Sequence, residues 1–563
     1  MSWAPTGLGK DIFEQRYALE GESWQEACKR VAAHVAHGEG TYVPGRFPTQ
    51  ERFQEELEEG RFMPGGRIWA NAGKPKPQLL NCFVLPVGDS REGWGKAISD
   101  TIVVSGLGGG VGINCSPVRG RGTLIKGTGG TATGAVSFME MVNAVGDVLR
   151  TGGGRRLALM LALEQDHPDL PEFLDKKLSL DQLNNANVSV ILTESTNDFV
   201  REAKRGRHTE LWERIVQNAW QSGEPGVLNS WLANKQSNIF YHKPLICTNP
   251  CGEIWLESYG CCDLGALVLP RFVKNGYMDW DTLKKSIYCA VRFLDNVLTV
   301  NHYPLEEIKK NSQGVRRLGL GVMGLHTALL ELGYKYSSET GLRKVNEIFA
   351  FIKRAAYEAS ISLAKEKGAF TEYSNQLLHS GFAKTLPNDL REDISTYGLR
   401  NCALLTVAPT GTTGMVHGVS TGIEPLFAPV YYRRYYQGEH LHKELVLTEE
   451  FKRFGALAEG AYDVPVEAHF AMQATVQSHI DNAVSKTINL PEDYDPGKLS
   501  DIWLEYLPQL KGSTFYREGS RGAEPLEPIR GEAIELIQHL NQQGVANIGD
   551  QYGMDCVGGS CEI

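Results

Sequence analysis

The sequence predicts an α/β fold behind a helical opening segment. Three observations carry that prediction: short β-branched runs recur between residues 64 and 430, amphipathic helical stretches separate them, and Gly-rich turns punctuate both. Strands separated by helices imply a parallel or mixed sheet, or a barrel, with reactive groups at strand ends and on the following loops.

In chain order, residues 10–60 read as helical. Trp24, Ala27, Val31 and Val35 recur near helical spacing, and Ser23 caps the run with Glu26 three residues on. The runs "NCFVLPV" from Asn81, "NVSVILTE" from Asn187, "GALVLPRFV" from Gly265 and "CALLTVAP" from Cys402 read as strands, and 340–367 reads as an amphipathic helix. Beyond about 505 the pattern weakens. The closing "NQQGVANIGDQYGMDCVGGSCEI" is polar, Gly-rich and aperiodic, which predicts a mobile tail. The chain therefore divides into a helical segment at 1–63, an α/β region at 64–505 and a C-terminal segment at 506–563.

With 563 residues the chain can bury a large core. Its net charge of −10 is spread along the sequence, so the basic stripe of a nucleic-acid partner is missing. No positive n-region leads into an apolar core at the start, and no apolar run approaches the roughly 18 residues of a membrane span. No membrane partner and a cytoplasmic location are expected. Eleven cysteines, an odd number in a long chain, do not suit the disulfide framework of a small secreted domain. In a reducing compartment clustered cysteines point to metal binding, redox chemistry or nucleophilic catalysis.

The stretch "CTNPCGEIWLESYGCCDLG" holds Cys247, Cys251, Cys261 and Cys262. Four thiolates can bind zinc, but the spacings here are C-x3-C and an adjacent pair, unlike two C-x2-C knuckles. Buried structural thiols are the plainer reading for Cys28, Cys289 and Cys402, and for Cys247 and Cys261. In "NPCGE", Asn249 and Glu253 stand two residues either side of Cys251, so an extended or loop backbone projects all three to one face. There Glu253 can accept a proton from a substrate hydroxyl while Asn249 orients it.

At the end, Cys556 and Cys561 flank Gly558 and Gly559, a pair able to close a disulfide and exchange it with another. Four Gly-rich stretches, "GLGGGVG" at 106–112, "KGTGGTATG" at 126–134, "RTGGGRR" at 150–156 and "APTGTTG" at 408–414, fit neither a Walker loop nor a Rossmann fingerprint. Their backbone N–H groups, with Thr412, Thr413, Arg155 and Arg156, still suit phosphorylated ligands.

Together these motifs resemble the catalytic chain of ribonucleotide reductases, most closely the adenosylcobalamin-dependent class II enzymes. The likeness runs through "FMPGGRIWANAG", "LLNCFVLPVGDS", "KGTGGTATGAVSFM", "NPCGEIWL", "CCDLG", "RRLGLGVMG", "APTGTTGMVHGVSTGIEPLFAP" and "IDNAVSKTINLP". It implies a ten-stranded α/β barrel with the Cys251 loop inside it. By the same resemblance Cys251 carries a thiyl radical, Glu253 is the base on the ribose 3'-hydroxyl and Asn249 is its hydrogen-bonding partner. Cys82 protonates the leaving 2'-hydroxyl and forms a redox pair with Cys262, which opens the family's C-[ND]-L-G string. Cys556 and Cys561 recharge that pair and are reduced by thioredoxin or a similar protein. Pro409, Thr410, Gly411, Thr412 and Thr413 hold substrate phosphates. Asp89, Arg119 and Lys126 form a site for a deoxynucleotide or ATP effector, which Arg155 and Arg156 link to the substrate base. Leu157 stands where the family has Gly, and Gly154 lies where a Lys is usual. The resemblance implies adenosylcobalamin as cofactor and no protein-bound metal; it leaves monomer and homodimer open, as it does diphosphate and triphosphate substrates. Only 81 residues precede Cys82, so an N-terminal ATP-binding domain is not expected.

Within the family the rival is a class I large subunit fed by a separate metal-radical protein. That chain relays its radical through adjacent tyrosines, where Phe515 stands beside Tyr516 here. Outside it, a generic thiol-disulfide oxidoreductase leaves Asn249, Glu253 and the Gly-rich loops without a purpose, and a nucleotide-binding regulatory protein leaves the tail cysteines idle.

Overall fold

The computed structural model describes residues 3–40, 49–127, 129–149, 157–179, 181–205, 209–437, 440–520, 526–530, 534 and 537. Helices α1 (Gly7–Arg16), α2 (Trp24–Ala36) and α3 (Thr49–Glu58) open the chain. The Ser23 hydroxyl accepts the Glu26 N–H while the Glu26 carboxylate accepts the Ser23 N–H, the expected capping box. Trp24, Ala27, Val31 and Val35 are buried by α2, as their spacing predicts.

Ten strands form one mixed sheet. They are β1 (Phe62–Pro64), β2 (Cys82–Val84), β3 (Gly110–Asn114), β4 (Leu159–Glu164), β5 (Ala186–Leu192), β6 (Gly226–Asn229), β9 (Cys261–Val268), β12 (Leu318–Met323), β15 (Thr487–Leu490) and β16 (Gly512–Arg517). Smaller pieces lie outside it: the hairpin β7 (Cys247–Thr248) and β8 (Trp255–Leu256), the hairpin β10 (Val273–Lys274) and β11 (Tyr277–Met278), and the strands β13 (Val430–Gln437), β14 (His440–Leu447) and β17 (Leu526–Pro528). From β2 to β6 the strands are parallel neighbours. On one flank β9 pairs antiparallel with β2 and carries β12 parallel to itself; on the other, β16 pairs antiparallel with β6 and carries β15. Two parallel sets thus run in opposite directions.

Three of the four strand runs read from sequence lie in β2, β5 and β9, and the amphipathic stretch is the helix Glu339–Lys367. "CALLTVAP" forms no strand of its own. Its bridges are single, Leu405 to Leu320 and Val407 to Val484, because it switches partners within three residues. Backbone bonds from Leu320 to Leu404 and from Val407 to Ala483 place it between β12 and the segment leading into β15, the two ends of the sheet. The sheet also runs past residue 505, since β16 inserts between β6 and β15.

Strand alternation sorts the apolar residues onto two faces. Leu159, Leu161 and Leu163 of β4 join the large core under the helices. Met160 and Ala162 turn the other way and form a smaller inner cluster with Cys82, Val84, Ile191, Leu228, Cys262 and the hairpin residues Cys247, Ile254, Trp255 and Leu256. The inner face of the sheet thus packs on the β7–β8 hairpin.

Candidate active site

The hairpin is short, and its position inside the sheet depends on glycine. Cys247 pairs with Leu256 and Thr248 with Trp255, leaving Asn249–Ile254 as the loop. Asn249 Oδ1 accepts the Ile254 N–H at 3.1 Å, and Gly252 adopts φ +82 to turn the chain. A Cβ on Gly112 of β3 would stand 1.7 Å from the Thr248 carbonyl oxygen, so only glycine lets β7 lie against β3. The tip is tied down by Asn187, which donates to the Pro250 carbonyl at 2.8 Å. Thr406 Oγ1 donates to the Glu253 carbonyl at 2.7 Å.

Buried ions clamp the base. Lys511 donates to the carbonyls of Asp481 and Asn482 at 2.6 and 2.7 Å, and its own carbonyl accepts the Trp255 indole N–H. Glu257, just after β8, pairs with Arg317 at 2.8 Å. Sequence reading missed these groups; their only signal is charge inside apolar strings.

Cys82 and Cys262 sit directly opposite each other in the β2–β9 register and share the inner face. Cys261, one residue earlier, points into the outer core. The four thiols of the cluster therefore do not converge, and among the described residues no group of three or more His, Cys, Asp or Glu is placed to hold a metal. Cys28, Cys289 and Cys402 are buried, as expected of structural thiols.

The hairpin loop brings its polar groups to Cys82. Asn249 Nδ2 donates to the Cys82 sulfur at 3.3 Å, and the thiol lies 3.8 Å from Glu253 Oε1. Glu253 Oε2 is buried with no hydrogen-bond partner. Asn249, Cys251 and Glu253 all line one cavity of about 360 Å³ with Cys82, brought together by the hairpin loop. Burial pushes the Glu253 carboxyl up to about 7, against the pull of its hydrogen bond to Asn249. The Cys251 thiol is open to the cavity but walled by protein elsewhere; burial, then the nearby Glu253, push its pKa well up. Burial does the same to Cys82 and Cys262.

The same cavity is lined by Pro409, Thr410, Gly411, Thr412 and Thr413. Helix Gly411–His417 begins there, and its first-turn N–H groups have no intrahelical acceptor. Thr410 is held at φ +48 by its carbonyl, which accepts the Gly414 N–H, and by its hydroxyl, which accepts the Gly422 N–H. Gly65, Gly66 and Arg67 of "FMPGGRIW" line it too, without a role from sequence. The stretch 106–112 ends a helix and enters β3; Gly108, Gly109 and Gly110 line the same cavity, and Gly112 admits the hairpin.

A second cavity, about 640 Å³, shares Pro250, Cys251 and Pro409 with the first. Its wall includes Phe427, Tyr462, Phe515, Tyr516 and the buried Lys486, which pairs with Glu424 at 2.7 Å.

Away from both cavities, Arg119 binds Asp89 through its backbone N–H and through Nε at 2.8 Å. Lys126 is exposed. Arg155, Arg156, Cys556 and Cys561 lie outside the described residues, as does the predicted mobile tail.

A mixed sheet packed around a hairpin that sets one accessible thiol beside a facing pair of thiols, a carboxamide and a carboxylate defines a centre for thiol-based redox chemistry. Family models give it a more particular place: the ribonucleotide reductase barrel domain matches residues 80–207 and 194–516, and the all-alpha domain matches 4–77. The chain is 32% identical to the vitamin B12-dependent ribonucleoside-diphosphate reductase of Mycobacterium tuberculosis (strain CDC 1551 / Oshkosh), over 98% of this chain and 83% of that one. The protein of the same name from Thermoplasma acidophilum is 32% identical over 91% of this chain and 71% of its own. The ribonucleoside-diphosphate reductase subunit alpha of Chlamydia pneumoniae is 27% identical over 72% and 46%. This chain belongs to the ribonucleotide reductase family.

Proposed function

We propose that the chain reduces ribonucleotides to 2'-deoxyribonucleotides at the Cys251 cavity, with adenosylcobalamin as its radical source. The observation that carries this reading is the register of Cys82 opposite Cys262, with Asn249 and Glu253 against the Cys82 sulfur in the cavity that Cys251 enters. A ribose placed between Cys251 and Cys82 has a hydrogen acceptor on one side and a proton donor on the other. Cys251, as a thiyl radical, takes the 3'-hydrogen, and Glu253 takes the 3'-hydroxyl proton. Cys82 protonates the 2'-hydroxyl, which leaves as water. Cys82 and Cys262 then supply two electrons by joining as a disulfide, the C2' position gains hydrogen in place of hydroxyl, Glu253 returns the proton to O3', and Cys251 returns its hydrogen to C3' and becomes the thiyl radical again. Substrate phosphates rest on the first turn of helix Gly411–His417. Both the Mycobacterium and Thermoplasma relatives are named for diphosphates, and we infer a diphosphate substrate here.

The 640 Å³ cavity suits the adenosyl side of the cofactor: it touches Cys251, has aromatic walls and offers the Glu424–Lys486 pair to hydroxyl groups. When bound, the cofactor supplies the radical that side chains cannot start. Phe515, buried in β16 at that cavity, cannot pass a radical by its own oxidation, which disfavours relay from a second subunit. Cys556 and Cys561 recharge Cys82–Cys262 and are reduced by thioredoxin or a similar protein. Asp89, Arg119, Lys126, Arg155 and Arg156 form the effector site in this reading.

Replacing Cys251 tests the assignment. Cys251→Ala and Cys251→Ser should both abolish nucleotide reduction while leaving the circular dichroism spectrum and effector binding unchanged. Turnover by either variant above a small fraction of wild type contradicts it.

A further inference from the structure

We propose that a cationic cleft beside the active-site cavity is the docking groove for this chain's own acidic cysteine tail. The inference rests on the reading above, in which Cys556 and Cys561 recharge Cys82 and Cys262. The cleft, about 800 Å³, lies between α1 and the 66–78 stretch, and four cations, Arg16, Arg67, Lys74 and Lys76, line it. Among the described residues lining it there is no Asp or Glu.

The cleft is continuous with the cavity that holds Cys82. Tyr17, Gly66 and Arg67 line both. The Arg67 guanidinium lies over Gly108, where a Cβ would fall 2.0 Å from Cζ, and Gly108 is itself part of the active-site wall. Positive charge thus leads from the surface lysines to the rim of the thiol site. Leu107, 42% exposed, adds an apolar contact in the cleft. The alternative approach is the 640 Å³ cavity that shares Cys251, whose charged wall residues Glu224, Glu424 and Lys486 leave no excess of cations and which the cofactor occupies in the reading above.

From Asp550 to Ile563 the sequence contains Asp550, Asp555 and Glu562 and neither Lys nor Arg. Two of those acids adjoin Cys556 and Cys561. Opposite charges raise the local concentration of such a segment at the cleft and steer it inward. Ile537 packs with Val430 and Phe451, and the segment from there to Cys556 can span roughly 60 Å. In the docked arrangement a tail thiolate attacks the Cys82–Cys262 disulfide, and the second tail thiol resolves the mixed disulfide. Two electrons and two protons pass to Cys82 and Cys262 as the tail closes its own disulfide.

The test is the full-length Lys74→Glu/Lys76→Glu variant in three assays at low salt. Thioredoxin-driven turnover should fall roughly tenfold, as expected for losing electrostatic steering. A single turnover of prereduced enzyme, and turnover driven by dithiothreitol, should stay at the wild-type rate. Adding Asp550→Lys, Asp555→Lys and Glu562→Lys should restore thioredoxin-driven turnover. An unchanged thioredoxin rate, or a loss that the charge swap does not restore, overturns the groove. A raised KM for the nucleotide in the single-turnover assay also overturns it and assigns the cations to phosphate. Cys556→Ser in the wild-type background separates the two readings: full thioredoxin-driven turnover there removes the shuttle itself, not merely its groove.

Discussion

At the scale of single residues, burial decides the protonation states the proposed chemistry needs. A hydrogen-atom transfer needs a thiol that still holds its hydrogen, and burial keeps Cys251 in that form at neutral pH. Glu253 is poised instead, with its carboxyl pushed up to about 7. The single-turnover rate should therefore rise with pH through about 7 as Glu253 ionises, and Glu253→Gln should lose that limb and 10²- to 10⁴-fold in rate. Stability gives an independent reading of the same group. Because its folded pKa is raised, the folded state favours the protonated form, and Glu253 becomes destabilising as pH climbs from the ordinary carboxylate range to about 7. Glu253→Gln should thus raise Tm at pH 8 and leave it nearly unchanged at pH 4, with a ceiling of roughly 3 kcal/mol. An equal shift at both pH values contradicts the assignment. Much of this scale was legible in the sequence: "NPCGE" located the loop, and the C-D-L-G string picked Cys262 over Cys261. Strand alternation puts Cys262, and not Cys261, on the face that Cys82 shares, since adjacent residues of β9 face opposite sides. Glu253's burial was not legible, because it depends on Thr406 and Cys82, which lie on two distant stretches of the chain.

Among the elements, the hairpin β7–β8 matters most, and it is stable only by its context. Two paired residues per strand cannot hold a loop in place. Asn187, Thr406, Lys511 and the Arg317–Glu257 pair do so from outside. Gly112 gives it room. Gly112→Ala should push β7 off β3, lowering activity at least tenfold and stability by roughly 1–3 kcal/mol, the usual range for overpacking. Chemical denaturation and steady-state assays check it; wild-type values in both would mean the close approach is unimportant. The sequence left "GLGGGVG" open between a phosphate-binding loop and a plain turn, because glycine clusters serve both purposes. What separates the two is the neighbour, here the Thr248 carbonyl, more than a hundred residues away. "CALLTVAP" looked like a strand for a related reason: its composition is that of a strand, but its partners change within three residues.

At the scale of the whole molecule, the sheet and hairpin make Cys251 part of the wall of two cavities, one lined by Cys82 and the 409–413 turn and the other by Phe427, Tyr462, Phe515 and Tyr516. In the proposed reaction one cavity is the substrate side and the other the radical-source side, with Cys251 common to both. The division into helical and α/β regions was visible in periodicity, whereas the antiparallel junctions of β9 and β16 were not, since strand direction leaves no mark on composition. The central claim is that this chain alone makes its radical from adenosylcobalamin and spends it at Cys251. The direct measurement is deoxynucleotide formation by the purified chain with a ribonucleoside diphosphate, a dithiol and adenosylcobalamin, in air and without added iron or manganese. The account predicts multiple turnovers by the lone chain and none by Cys251→Ser. Activity that ignores the cobalamin and appears only with a second, metal-containing protein would contradict it.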